Sequence, residues 1–274
     1  VASRPQRPTP FTYLLRAVVA VYLFLLVAWP VSLVAKNTFD DGTATITGLF
    51  DDPDIVHALR LTVVVALSAV VINTVFGVGI SLLLARYEFP GKRILNPLID
   101  LPLAVSPVVV GLSLVLVYGG RDGWFGPFLE DAGLQVIFAT PGMIMATAFV
   151  ALPLVIREVV PTLEEVGIEQ ETAARSLGAN AWQTFRRITL PSIRWALVYG
   201  VVLSLARSLG EFGAVKIVSG NILGETRTAT LVVEERYLNF DQASAYATAF
   251  LLAMVSVACI VVVAILRPKE SSRR

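Results

Sequence analysis

Residues 171–191, ETAARSLGANAWQTFRRITLP, carry four charged side chains and several small ones, yet apolar runs long enough to cross a membrane lie on both sides. Where this polar, helix-prone stretch sits decides the fold. From Leu163 the apolar or small positions Leu163, Val166, Ala173, Ala174 and Leu177 recur at helical spacing, interrupted at Gln170, while Glu164, Glu165, Glu169 and Arg175 fall on other faces. One amphipathic helix is predicted, with Glu171 and Arg175 as an i,i+4 pair worth about 0.2–0.5 kcal/mol. Gly178 supplies a left-handed stop, and Asn180 with Gln183 reads as an N-cap and its N3 partner. A second short helix therefore starts at Ala181, with Trp182, Phe185 and Ile188 on one face and Arg186 and Arg187 near its C-terminal end, where the helix dipole favours cations. Pro191 suits the first turn of a following helix, where a missing N–H is no loss.

The composition is that of an integral membrane protein: 55% of the 274 residues are hydrophobic and 16% charged, where soluble domains average about a quarter charged. The net charge of +1 gives no sign of nucleic-acid binding, and a single cysteine (Cys259) and a single histidine (His57) leave no intrachain disulfide and no His/Cys metal cluster. Six apolar runs reach the length of about 20 residues needed to cross the hydrocarbon: residues 12–35, 58–85, 95–118, 136–157, 193–217 and 243–266. The first is too long for a secretory signal and lacks a convincing small-x-small cleavage site, so a retained helix is expected. With the N-terminus placed in the cytoplasm, fifteen Lys and Arg residues fall inside, from Arg4 and Arg86 through Arg157 and Arg186 to Arg274. Six fall outside (Lys36, Arg60, Arg121, Lys216, Arg227 and Arg236), beside acids such as Asp51, Asp52 and Glu234. The positive-inside rule then puts both termini and the segment 160–191 in the cytoplasm, with tails over 1–11 and 267–274.

Ala173, Ala174, Gly178, Ile188, Leu190 and Pro191, at the spacing AA-x3-G-x9-I-x-LP, resemble the EAA loop of the permease subunits of ATP-binding-cassette importers. That resemblance implies the type I importer permease fold and a pair of short helices that dock on a cytoplasmic ATPase. The expected docking residues are Thr172, Ala173, Ala174, Leu177, Gly178, Trp182, Phe185, Ile188, Leu190 and Pro191. Small residues allow close backbone approach, and aromatic side chains fill pockets. An amphipathic segment lying on the bilayer would share the polarity, though not the motif. In one place the pattern departs: the position six before Gly178, usually glutamate in the family, is Thr172, and Glu171 points about 100° away. No G-x-x-x-x-G-K-[ST] phosphate loop occurs, and Gly91-Lys92 lacks the flanking residues of one. No cofactor is expected in this chain; ATP and Mg would belong to the partner ATPase.

Polar residues inside the apolar runs mark candidate pathway positions, because each costs about 2.5–3.5 kcal/mol at a helix centre on insertion scales. Arg207 and Glu211 lie four apart and can neutralise each other; they either gate a route or tie helices together. The third run carries Asp100, Pro102, Ser106 and Pro107, whose prolines free backbone groups that must face protein or water. Asn73, Gly77, Gly79 and Ser81 read as a close-packing face of the second run. The segments 73–93, 100–119 and 209–237 look like the permeases of sulfate, thiosulfate and molybdate importers, and VSGNILGETRTATLVVEERY (218–237) is closest to the sulfate branch. The resemblance covers essentially the whole chain. It implies a paralogous permease, two copies of the ATPase, an extracytoplasmic sulfate-binding protein and a multi-pass place among the lipids of a bacterial inner membrane. A dianion would be held fast by fixed cations, so passage is expected over neutral donors such as Ser106, Ser113, Ser204 and Ser208, with Glu211 held by Arg207. The rival readings are a molybdate permease, a passive anion channel, and a membrane enzyme using Asp100 and Glu211 as acid and base, which would need them to converge on a cavity.

Overall fold

A computed structural model describes residues 9–40 and 42–266, so most of the first predicted tail and all of the second lie outside the described residues. Among the described residues there is no strand. The helices are α1 Pro10–Phe39, α2 Ala44–Gly48, α3 Pro53–Arg86, α4 Lys92–Ala104, α5 Pro107–Tyr118, α6 Gly126–Asp131, α7 Thr140–Val166, α8 Glu169–Ser176, α9 Ala181–Leu209, α10 Gly213–Ser219, α11 Ala229–Leu238 and α12 Gln242–Leu266. Among the described residues five helices are long and apolar enough to cross a membrane, or six if α4 and α5 form one span.

Local chemistry sets several of these boundaries. Asp52 caps α3 by accepting from Asp54 N–H at 2.9 Å, and Pro53 takes the first turn. Pro30 and Pro191 both sit within continuous helix, and each follows a π-turn by two residues, at Phe24–Ala28 and Phe185–Thr189. A proline has no N–H to give four residues back and its ring crowds that carbonyl; the wider turn absorbs the mismatch.

The helices differ from the predicted runs in four ways. The third run, 95–118, is broken: α4 and α5 meet at 110°. The break falls at Val105 and Ser106 (ψ 138° and 134°), because the ring of Pro107 forces the residue before it into an extended conformation; Pro97 and Pro102 stay inside α4. The fourth run, predicted to end at 157, continues to Val166, so Arg157 lies within the helix. The amphipathic helix expected from Leu163 to Leu177 is two helices, since Gly167 takes φ 70° and ψ −167°, a backbone that only glycine adopts readily. The fifth run, 193–217, starts at Ala181, fused to the short helix expected before it, and stops at Leu209, with α10 a separate piece.

The centre of the bundle is α7. More than half of its most apolar window is buried (56%), against none of the corresponding window of α1. Met143, Ala146 and Val150 pack with Leu61 and Val65 of α3, Val110 of α5, and Ala214, Val215 and Val218 of α10. Farther along, Val155, Val159 and Leu163 close on Ile193 of α9, with Leu82 and Ala85 of α3 beside them. Small residues bring the backbones together: a Cβ on Gly77 would lie 2.9 Å from Val155 Cγ1, and one on Gly200 would lie 3.0 Å from Val155 Cα. Asn73, Gly77 and Ser81, four residues apart, are buried on one face of α3, but Gly79 points into open space and does not share it. Residues predicted on opposite sides of a membrane do lie at opposite ends. Asp52 pairs with Arg236, and His57 Nε2 lies 3.3 Å from the Glu225 carbonyl at one end; Arg86 meets Glu171 at the other.

This packing makes a contrast between two glycines. Gly200→Leu is expected to destabilise the detergent-solubilised protein by about 1–3 kcal/mol, the usual cost of overpacking, because the added side chain meets the α7 backbone. Gly79→Ala should leave the melting curve within error or raise it slightly. Equal effects from the two in a thermal-unfolding assay would contradict the close α7–α9 contact.

Candidate functional site

The 171–191 segment forms a tip beyond the end of the bundle. Helix α8 stops where Gly178 turns left-handed (φ 86°); Gly178 N–H donates to the Arg175 carbonyl and Ala179 N–H to the Ala174 carbonyl, each at 3.0 Å. Both capping-box bonds are made: Gln183 N–H donates to Asn180 Oδ1 at 2.8 Å, and Asn180 N–H to Gln183 Oε1 at 3.0 Å. This fixes the angle between α8 and the start of α9. Between them lies a groove of about 300 Å³ lined by Ala174, Leu177, Gly178, Ala179, Gln183 and Ile188, among others. Leu177 is 89% exposed and Trp182 66%, while Thr172, Ala173 and Pro191 are also exposed and Phe185, Ile188 and Leu190 half-buried. Trp182 leans on Phe185 with ring centroids 5.7 Å apart. The ten residues predicted for docking therefore lie along this one tip.

Behind the tip is a contact that the sequence reading missed. Glu171 does not pair with Arg175; it turns inward, 8% exposed, and meets Arg86 at the end of α3. Arg86 Nε donates to both Glu171 oxygens at 3.3 and 3.2 Å, and Nη2 donates to Oε1 at 3.2 Å. Its remaining donors reach the Leu163 carbonyl (Nη1) and the Gly167 carbonyl (Nη2), both at 2.9 Å. Thr189 Oγ1 donates to Glu171 Oε1 at 2.9 Å. Both charged side chains are 10% exposed; removing one partner of such a pair typically costs about 3–5 kcal/mol. Thr172, at the position where the family usually carries its acid, is exposed and donates its hydroxyl to the Ile168 carbonyl. A signal for the inward turn was present: Glu171 shares a helix face with half-buried Ala174, and an inward-facing carboxylate requires a cation. Nothing local named Arg86, which is 85 residues away.

The predicted pathway residues fall into two groups. At the break between α9 and α10, Glu211 Oε1 accepts from Ala214 N–H at 3.0 Å, so the carboxylate caps α10. Its Oε2 lies 2.7 Å from Arg207 Nη1, an ion pair out of line for a hydrogen bond. Arg207 and Glu211 thus pair as their spacing suggested, across the end of α9. The break lies against the one between α4 and α5, where a Cβ on Gly213 would be 3.0 Å from Pro107 Cβ. Asp100 is held elsewhere, accepting from Arg157 Nε at 2.8 Å in a half-exposed pair. The two carboxylates of the enzyme reading are therefore each bound to a separate arginine. Ser106 and Ser113 are exposed, with Ser113 Oγ donating to the Val109 carbonyl. Ser204 and Ser208 are buried, contrary to the expectation that they line an open route. Ser204 Oγ lies 3.5 Å from Asn73 Nδ2, and Ser208 Oγ has no hydrogen-bond partner among the described residues.

Comparison with known proteins gives this geometry a family. Residues 77–272 match the family described as "Binding-protein-dependent transport system inner membrane component". The chain is 47% identical over 249 residues to "Sulfate transport system permease protein CysW" of Synechococcus elongatus, covering 91% of this chain and 87% of that one. It is 37% identical over 236 residues to "Sulfate transport system permease protein CysT" of Escherichia coli, covering 86% and 85%. A solved structure, a bacterial alginate ABC transporter in complex with an alginate pentasaccharide-bound periplasmic protein, superposes with a TM-score of 0.76 at 17% identity over 95% of this chain and 96% of that one, which shows a shared fold. A match over residues 77–272, on a multi-pass helical bundle of the ABC importer permease fold, makes this chain a member of the family of binding-protein-dependent transport system inner membrane components.

Proposed function

We propose that this chain is the permease subunit, of the CysW kind, of an ATP-driven sulfate importer in a bacterial inner membrane. The observation that carries the reading is the tip: Leu177 and Trp182 stand exposed beside a groove of small and apolar residues edged by Gln183, Thr184 and Arg187, on helices fixed by a capping box and a buried ion pair. A rigid surface of this kind suits a protein partner, and an ATPase subunit is the partner that supplies the missing energy source. Charge asymmetry supports a cytoplasmic position for the tip and both termini. Mg-ATP is bound and hydrolysed by two ATPase copies; a paralogous permease completes the pathway, as similarity to both CysW and CysT supports. A sulfate-binding protein delivers substrate to the opposite end, in line with the periplasmic protein in the alginate complex. The names of the relatives favour sulfate over molybdate.

Within the membrane, the two adjoining helix breaks are the gate. The carboxylate of Glu211 neutralises Arg207, so a passing dianion meets no free cation there, and Ser106 offers a neutral donor, whereas the Ser113 hydroxyl is taken by the Val109 carbonyl. A fixed cation left bare in low dielectric would hold sulfate and slow its release.

Three outcomes check this reading in proteoliposomes holding the chain with its partner permease, ATPase and binding protein. Sulfate uptake should require ATP. Leu177→Asp should lower it by about tenfold or more, with loss of ATPase co-purification and no change in the melting curve of the isolated chain. Uptake without ATP would favour the channel, and unchanged ATP-driven uptake by Leu177→Asp would remove the docking assignment. Glu211→Gln keeps the cap on Ala214 but leaves Arg207 charged; turnover should fall about tenfold while the apparent KM does not rise. Unchanged turnover would contradict the neutralised gate.

A further inference from the structure

We propose that Arg86 and Glu171 are positioning residues for energy coupling: they lock the joint at Gly167, so that displacement of the tip moves α3, α7 and α9 as one body. The proposal rests on the reading of the tip as the ATPase-docking surface. Covalently, α8 is tied only to α7, through Gly167 and Ile168, and to α9, through residues 177–180. Gly167 has the backbone freedom to act as a swivel, and a push on Leu177 and Trp182 could be spent in rotating α8 about it.

Arg86 spans that swivel. One terminal nitrogen holds the Leu163 carbonyl in the last turn of α7, and the other holds the Gly167 carbonyl and the Glu171 carboxylate of α8. The charges also suit their places. A cation at the C-terminal end of α7 and an acid in the first turn of α8 both complement the helix dipoles. Glu171 extends the lock to α9 through Thr189. Helix α3 has no covalent connection to the tip; Leu82 and Ala85 pack it on α7 and α9, and Arg86 ties it to α8. It is also bound to its neighbours far from the tip: Gly77 abuts Val155 of α7, and Asn73 reaches Ser204 of α9. The three helices thereby form a continuous body from the tip to the level of Asn73. A lysine could keep the charge of Arg86, but its single nitrogen cannot brace two carbonyls and a carboxylate with fixed geometry.

The test is the ratio of sulfate transported to ATP hydrolysed in the full reconstituted importer. Glu171→Gln and Arg86→Lys complexes should co-purify with the ATPase and hydrolyse ATP within about twofold of the parent, while sulfate per ATP falls about tenfold or more. A purely structural role would lower the yield of complex, or both rates together, and leave the ratio unchanged. An unchanged ratio in either variant that assembles overturns the proposal, and so does failure of both to assemble, because the pair would then serve folding. Leu177→Asp measured alongside separates the two layers. If that variant loses the ATPase while Glu171→Gln keeps the parental ratio, only the lock is wrong; if it keeps coupled uptake, the docking reading fails and takes the lock with it.

Discussion

A guanidinium presents five donors in one plane, and Arg86 uses that geometry where three helices end together. Two carbonyls left over at the end of α7 and at Gly167, and one inward-turned carboxylate, would each be costly to leave without a partner away from water. One side chain satisfies all of them. The rest of the tip depends on this arrangement, since the left-handed turn at Gly178 and the capping box behind it only set α8 relative to α9. Arg86 adds the tie from α8 to the ends of α3 and α7.

A second constraint governs the middle of the bundle. In hydrocarbon a backbone N–H or C=O must be bonded within the protein, so a broken helix is tolerated only against other protein or a wet cavity. Among the described residues one candidate span is broken, at residues 105–106, and the end of α9 at residues 210–212 lies beside that break, with Gly213 against Pro107 and the Glu211 carboxylate covering an N–H of α10. The close glycine contacts of α3 and α9 with α7 lie on the tip side of both. Packed cores transmit displacement poorly by bending and well by moving as units, so a change of shape concentrates there.

What was legible in the sequence follows from how far each signal reaches. Apolar runs are one-dimensional, and each of the six predicted runs contains helix, although a hydropathy window averages straight through Val105 and Ser106 and through Gly210. The stop at Gly178 and the cap at Asn180 were readable because both bonds close within a few residues. The interruption at Gly167 was hidden because the apolar positions on either side stay nearly in phase at helical spacing. Arg207 with Glu211 was found by its spacing, whereas Arg86 with Glu171 and Asp100 with Arg157 join residues 85 and 57 apart and become visible only in three dimensions. The burial of Ser204 and Ser208 has the same origin: a serine on an apolar helix reads alike whether it faces a route or a neighbouring helix.

The central claim is that the tip at residues 171–191 faces the cytoplasm and is covered by an ATPase. Cys259 is the single native cysteine, so a Cys259→Ala background with Leu177→Cys gives one reporter at a highly exposed position of the tip. Sealed vesicles of known orientation, treated with a membrane-impermeant maleimide with and without bound ATPase, supply the measurement. The account predicts labelling only from the cytoplasmic face and protection when the ATPase is bound. Labelling from the outer face, or equal labelling with and without the ATPase, would contradict it.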